Sequence, residues 1–110
     1  MSEGPPVELI DPATLRAWID SGEAYVVDVR EPHEYAMAHI AGTALMPLSR
    51  FDPGAVRPPE GKKLVIHCAS GVRCGVATRH LLAAGYRGKV HRLAGGIEAW
   101  YHEGLPIARG

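Results

Sequence analysis

Short apolar runs alternate with helix-like stretches along the whole chain, and this alternation restricts the fold more than any other feature. "VELI" (7–10), "AYVVDV" (24–29), "TALMPL" (43–48), "KLVIHC" (63–68) and "KVHRL" (89–93) read as strands. Between and after them, "DPATLRAWIDSG" (11–22), "EPHEYAMAHI" (31–40), "CGVATRHLLAAG" (74–85) and "GGIEAWYHEG" (95–104) read as helices. Asp11 is placed to cap the first of these, Pro12 to open it and Gly22 to close it, while Gly85 stops the third. The runs at 24–29 and 63–68 are almost continuously apolar, as strands are when both sheet faces are covered. The pattern predicts an α/β domain with a mostly parallel sheet and helices on both faces. In such sheets ligands bind beyond the carboxyl ends of the strands, and Cys68 stands at one of those ends.

The 110 residues are enough for one domain, read here as 1–110 with residues 1–6 a flexible N-terminus. A proline- and glycine-rich loop is expected over 51–63. Twelve basic residues balance twelve acidic ones, which argues against nucleic acid or an anionic membrane as partner. No apolar run approaches the roughly 20 residues of a membrane span. "MSEGPPVELID" lacks a basic region followed by an apolar one, so a cytoplasmic protein is expected. Cys68 and Cys74, six positions apart, do not suggest a structural staple in a reducing compartment. With no second pair and no HxxxH-type partner nearby, a closed metal site lacks ligands and no cofactor is expected.

The chemistry concentrates in Cys68-Ala69-Ser70-Gly71-Val72-Arg73. Small residues and a glycine let the backbone curl until successive N–H groups point inward and form an anion nest. The following helix adds its positive end, and the planar fork of Arg73 can close the ring or fix its shape. A thiol at the centre of such a ring ionises readily, and the thiolate is the attacking species. A lone cysteine is more often just a buried thiol. The glycine, the arginine and the strand end together point instead to Cys68 as a nucleophile, with Ala69, Ser70, Gly71, Val72 and Arg73 holding the substrate.

These residues carry a resemblance. "VVDVREPHEYAMAHIAGTALMPL", "CASGVR" and "LAGGIEAWYHEGLP" resemble, in the right order and over nearly the whole length, the N-terminal signature, active-site loop and C-terminal signature of single-domain rhodaneses, a family of sulfurtransferases. The resemblance implies a five-stranded parallel sheet with helices on both sides and a persulfide on Cys68. Two departures stand out. Ala38 replaces a frequent glycine, and would be strained in a left-handed conformation; Cys74 replaces a commonly small residue.

Cysteine phosphatases that resemble rhodaneses carry one residue more between Cys and Arg than the four here, Ala69 to Val72. The tighter ring suits a sulfur atom better than a tetrahedral phosphate, and the loop contains no carboxylate to act as general acid. The expected activity moves sulfane sulfur from thiosulfate or a persulfide to cyanide or a thiol, with a protein persulfide or thiol as a further partner. A non-enzymatic rhodanese-like module is the alternative, and it commonly lacks the cysteine that is present here. Cys74 is read as a small residue packed beneath the loop, with a resolving or disulfide-forming thiol as the alternative. His67, next to Cys68 on a strand, should face the other way and serve poorly as a base. His39 is given a structural hydrogen-bonding role, and Asp28 and Arg30 a supporting one near the site. Trp18, Trp100 and Tyr101 are assigned to the core.

Overall fold

The computed structural model describes residues 7–110; the segment 1–6, read above as a flexible terminus, lies outside the described residues. Five strands form one sheet: β1 (Val7–Ile10), β2 (Ala24–Asp28), β3 (Ala44–Leu45), β4 (Lys63–His67) and β5 (Val90–Leu93). Their order is β1-β5-β4-β2-β3 and every pairing is parallel. The helices are α1 (Pro12–Asp20), α2 (Pro32–Met37), α3 (Arg73–Ala83) and α4 (Gly96–His102). β4 is therefore the middle strand, and its carboxyl end, where Cys68 follows, opens between β5 and β2.

Strand alternation divides the core in two. Val27, Leu64, Ile66 and Val90 face one side, where Cys74, Ala77 and Leu81 of α3 cover them. Ile10, Val26, Val65 and Leu93 face the other, covered by Leu15 of α1 and by Ile97 and Trp100 of α4. Cys68 belongs to the α3 side. His67, one residue earlier, is buried with Asp28, its register partner on β2. The Asp11 carboxylate caps α1 by accepting the Thr14 N–H at 2.8 Å, as its place before Pro12 predicts.

Three expectations change. The strand read over 43–48 is only Ala44–Leu45 and runs into a 3₁₀ turn at Leu48–Arg50. The backbone still bonds β2 past Leu45, from the Met46 N–H to the Asp28 carbonyl at 2.9 Å and from the Leu48 N–H to that of Val29 at 3.0 Å, before the turn takes over. Tyr101 is exposed rather than in the core. Ile97 and Trp100 reach the sheet, and the next residue, about 100° further round the helix, points to solvent. Ala38 is extended (φ −167°, ψ 135°), so the missing glycine costs no strain. Trp100 is fully buried and donates its Nε1–H to the Pro106 carbonyl at 2.7 Å. Trp100→Ala is expected to cost about 3–5 kcal/mol, read as a lower denaturant midpoint.

Candidate active site

α3 starts without a side-chain cap, because the residue before it is Val72. The Cys68 sulfur takes that place. Its Sγ accepts the Gly71 N–H at 3.1 Å and the Cys74 N–H, in the first turn of α3, at 3.3 Å. The partly positive helix end and the nest thus meet on one buried sulfur. The Cys74 thiol beside it, followed by the N–H groups of Cys74, Gly71 and Ser70, pulls the Cys68 thiol down to about 5 against the opposing effect of burial. The Cys74 thiol is pushed strongly up, first by Cys68 itself and then by burial. The two sulfurs divide the work: one ionises and the other keeps its proton.

Inward N–H groups turn the loop's carbonyls outward, and those need donors of their own. α4 supplies two. The Ile97 N–H donates to the Cys68 carbonyl at 2.9 Å and the Glu98 N–H to that of Ala69 at 3.0 Å. This approach is possible only because residue 96 is glycine. Gly96 has φ +61°, and a Cβ there would lie 2.4 Å from both the Cys68 and Ala69 oxygens. Arg92 of β5 donates from Nη2 to the Gly71 carbonyl at 2.8 Å, and the Cys74 thiol donates to the same oxygen at 3.3 Å.

Arg73 does not turn its fork into the ring. Nη1 and Nη2 donate to the two carboxylate oxygens of Glu34 on α2, at 2.7 and 2.8 Å. Of the two roles open to it in the sequence, this is the one that fixes the loop's shape. Arg73 holds the Glu34 carboxyl down to about 2. Behind the loop, Arg30 makes a forked pair with Asp28 (Nη2 to Oδ2, 2.8 Å) and donates to the Ala38 carbonyl at 2.7 Å, joining the end of β2 to α2. His67 Nδ1 lies 3.2 Å from the Cys68 carbonyl, on the far side from the sulfur, and burial pushes its pKa down. His39 bonds the Tyr35 carbonyl through Nδ1 at 2.9 Å and stacks on the Tyr35 ring. Both histidines are structural.

Ala69, Ser70 and Gly71 follow Cys68 around the ring, and Val72 projects its side chain into solvent. Among the described residues, no group of three or more His, Cys, Asp or Glu side chains gathers to hold a metal ion. Sequence reasoning did not single out Glu34, Arg92 or Gly96. Arg92 could have been noticed as a charge at an inward position of the apolar run "KVHRL", and Gly96 as the second of two glycines before a helix.

The rhodanese-like domain family model matches residues 11–103, and the chain belongs to that family. An uncharacterised protein of Synechocystis is 40% identical over 100 residues, covering 91% of this chain and 55% of that protein. A protein named sulfurtransferase from Allochromatium vinosum is 36% identical over 88 residues, 80% of this chain and 81% of its own. The probable adenylyltransferase/sulfurtransferase MoeZ of Mycobacterium tuberculosis is 38% identical over 100 residues, 88% of this chain but 25% of that protein. The chain therefore spans about half of the first of these relatives and a quarter of the last. Among solved structures, a rhodanese-related protein from Thermoplasma volcanium superposes with a TM-score of 0.79 at 30% identity, covering 94% of this chain and 99% of its own.

Two outcomes test the geometry. Alkylation of Cys68 by iodoacetamide should rise with pH to half its plateau rate near 5, and Cys74→Ala, which keeps the N–H but loses the thiol, should move that midpoint upward. Gly96→Ala should push the Cys68–Ala69 backbone off α4 and abolish fast alkylation at neutral pH. A Gly96→Ala protein that alkylates like the parent would refute the close approach.

Proposed function

We propose that this chain is a sulfurtransferase that carries sulfane sulfur as a persulfide on Cys68. The observation that carries the reading is the Cys68 sulfur buried in a ring of N–H groups and acidified to about 5. A sulfur so placed is a thiolate at neutral pH and therefore the attacking species. With thiosulfate, the thiolate attacks the outer sulfur, the S–S bond breaks and its electron pair leaves with sulfite. The product is Cys68–S–S⁻. The loop N–H groups that held the thiolate can then hold the displaced negative charge. A thiophilic acceptor attacks the terminal sulfur and the Cys68 thiolate leaves. Cyanide gives thiocyanate, and a thiolate gives a new persulfide. No cofactor enters either half.

The neutral side chains of Ala69, Ser70 and Val72, and the engagement of Arg73 with Glu34, leave a doubly charged donor little beyond backbone. A persulfide, small-molecule or protein-borne, is the donor that suits this ring best. The four residues between Cys68 and Arg73 favour sulfur over a phosphoryl group.

Intact-mass measurement after incubation with thiosulfate or a low-molecular-weight persulfide should show the gain of one sulfur atom. Cyanide should reverse it, and Cys68→Ser should abolish it. An unmodified parent protein with both donors would reject the reading. The persulfide should also give the higher kcat/KM; a strong preference for thiosulfate would overturn the donor assignment. Because Glu34 stays ionised to about pH 2 while Cys68 protonates near 5, activity should fall between pH 6 and 4 with the loop still anchored.

A further inference from the structure

Arg92 sits where an apolar residue would be easier to accommodate. Its neighbours on β5, Val90, His91 and Leu93, are buried, and alternation turns Arg92 to the same face as Val90, toward α3. There the guanidinium lies against Gly75, whose missing side chain leaves it room: a Cβ at residue 75 would come within 3.1 Å of Nη2 and 3.3 Å of Cζ. The Arg92 Nε is buried without a hydrogen-bond partner. An unpaired buried donor is costly, and a hydrophobic residue at this position would avoid the cost. The side chain's one hydrogen bond among the described residues is Nη2 to the Gly71 carbonyl at 2.8 Å, and the same guanidinium lies beside the Cys74 thiol, whose rise in pKa it opposes.

That carbonyl belongs to the residue whose own N–H points at Cys68. Gly71 has φ +109°, a conformation open to glycine and rarely adopted by other residues, and it has no side chain of its own to hold the turn. The Cys74 thiol reaches the same oxygen, but a thiol is a weak donor and at 3.3 Å holds it loosely. The guanidinium is the strong donor, and its charge shortens and strengthens the bond. We propose that Arg92 is a positioning residue of the active-site loop. By fixing the Gly71 carbonyl it keeps the loop curled, with the Gly71 and Cys74 N–H groups on the Cys68 sulfur. It acts through the loop and touches no substrate. In this arrangement Arg73 anchors the loop from outside through Glu34, and Arg92 anchors it from beneath.

The ionisable groups around Cys68 are Cys74 from α3, Arg92 from β5, Arg73 with Glu34 on the outer side, and His67 with Asp28 on the opposite sheet face. The inference requires Cys68 to be the reacting thiolate, but it does not require sulfur to be what Cys68 transfers. Its test therefore reads the thiolate alone. The pH profile of Cys68 carboxamidomethylation, mapped by peptide mass so that Cys74 is counted separately, should shift upward by about one pH unit in Arg92→Met. That shift corresponds to a roughly tenfold smaller thiolate fraction at acid pH. Arg92→Lys keeps the charge but ends one atom short of Nη2, and should recover only part of the shift. An unshifted midpoint in a folded Arg92→Met protein overturns the proposal, and so does full recovery by lysine, which would make Arg92 a distant charge only. If Arg92→Met does not fold, Arg92→Gln decides: its neutral side chain ends two atoms short of Nη2 and should raise the midpoint, and an unchanged profile overturns the proposal. Absence of persulfide formation with the Arg92 effect intact would count against sulfur transfer alone.

Discussion

A peptide unit cannot turn its N–H inward without turning its C=O elsewhere, and the site depends on how this molecule meets that constraint. The loop that gathers N–H groups on the Cys68 sulfur also carries the Cys68, Ala69 and Gly71 carbonyls, which are bonded from outside it. Each has a donor waiting: Ile97 N–H, Glu98 N–H and the Arg92 guanidinium. Those donors come from α4 and β5, elements distant in sequence from the loop. The nest is held from outside by donors that its own segment does not supply.

The two cysteines show how little chemistry separates an acidic thiol from one that holds its proton. They lie six positions apart, are both buried, and carry the same functional group. Cys68 receives N–H groups and becomes acidic; Cys74 gives its hydrogen bonds, lies against an anion and holds its proton. Geometry assigns the roles. The sequence reading of Cys74 as a small residue beneath the loop describes its packing but misses its effect on the neighbour's acidity.

The order of elements was legible because the hydrophobic period changes visibly from strand to helix, and the caps at Asp11 and Gly22 mark boundaries chemically. Cys68 was legible because a strand end, a glycine and an arginine occur within six residues. The short β3 was harder to bound, since the apolar pattern runs on through Met46 and Leu48 while the strand gives way to a turn. Tyr101 was misassigned because an aromatic beside Trp100 looks the same in sequence whether it faces the sheet or the solvent. Arg73 was identified, but its partner Glu34, thirty-nine residues away, was not.

The sequence by itself determined the alternating α/β architecture, the place of Cys68 at the end of a strand and the loop length between Cys68 and Arg73, because each follows from neighbouring residues and the period of the backbone. The tertiary structure alone decided which direction Arg73 points, that Arg92 reaches Gly71, and that Gly96 lets α4 approach the loop. The physical reason is that hydrogen bonds between distant segments exist only once the sheet has placed β5, α4 and the loop after β4 side by side.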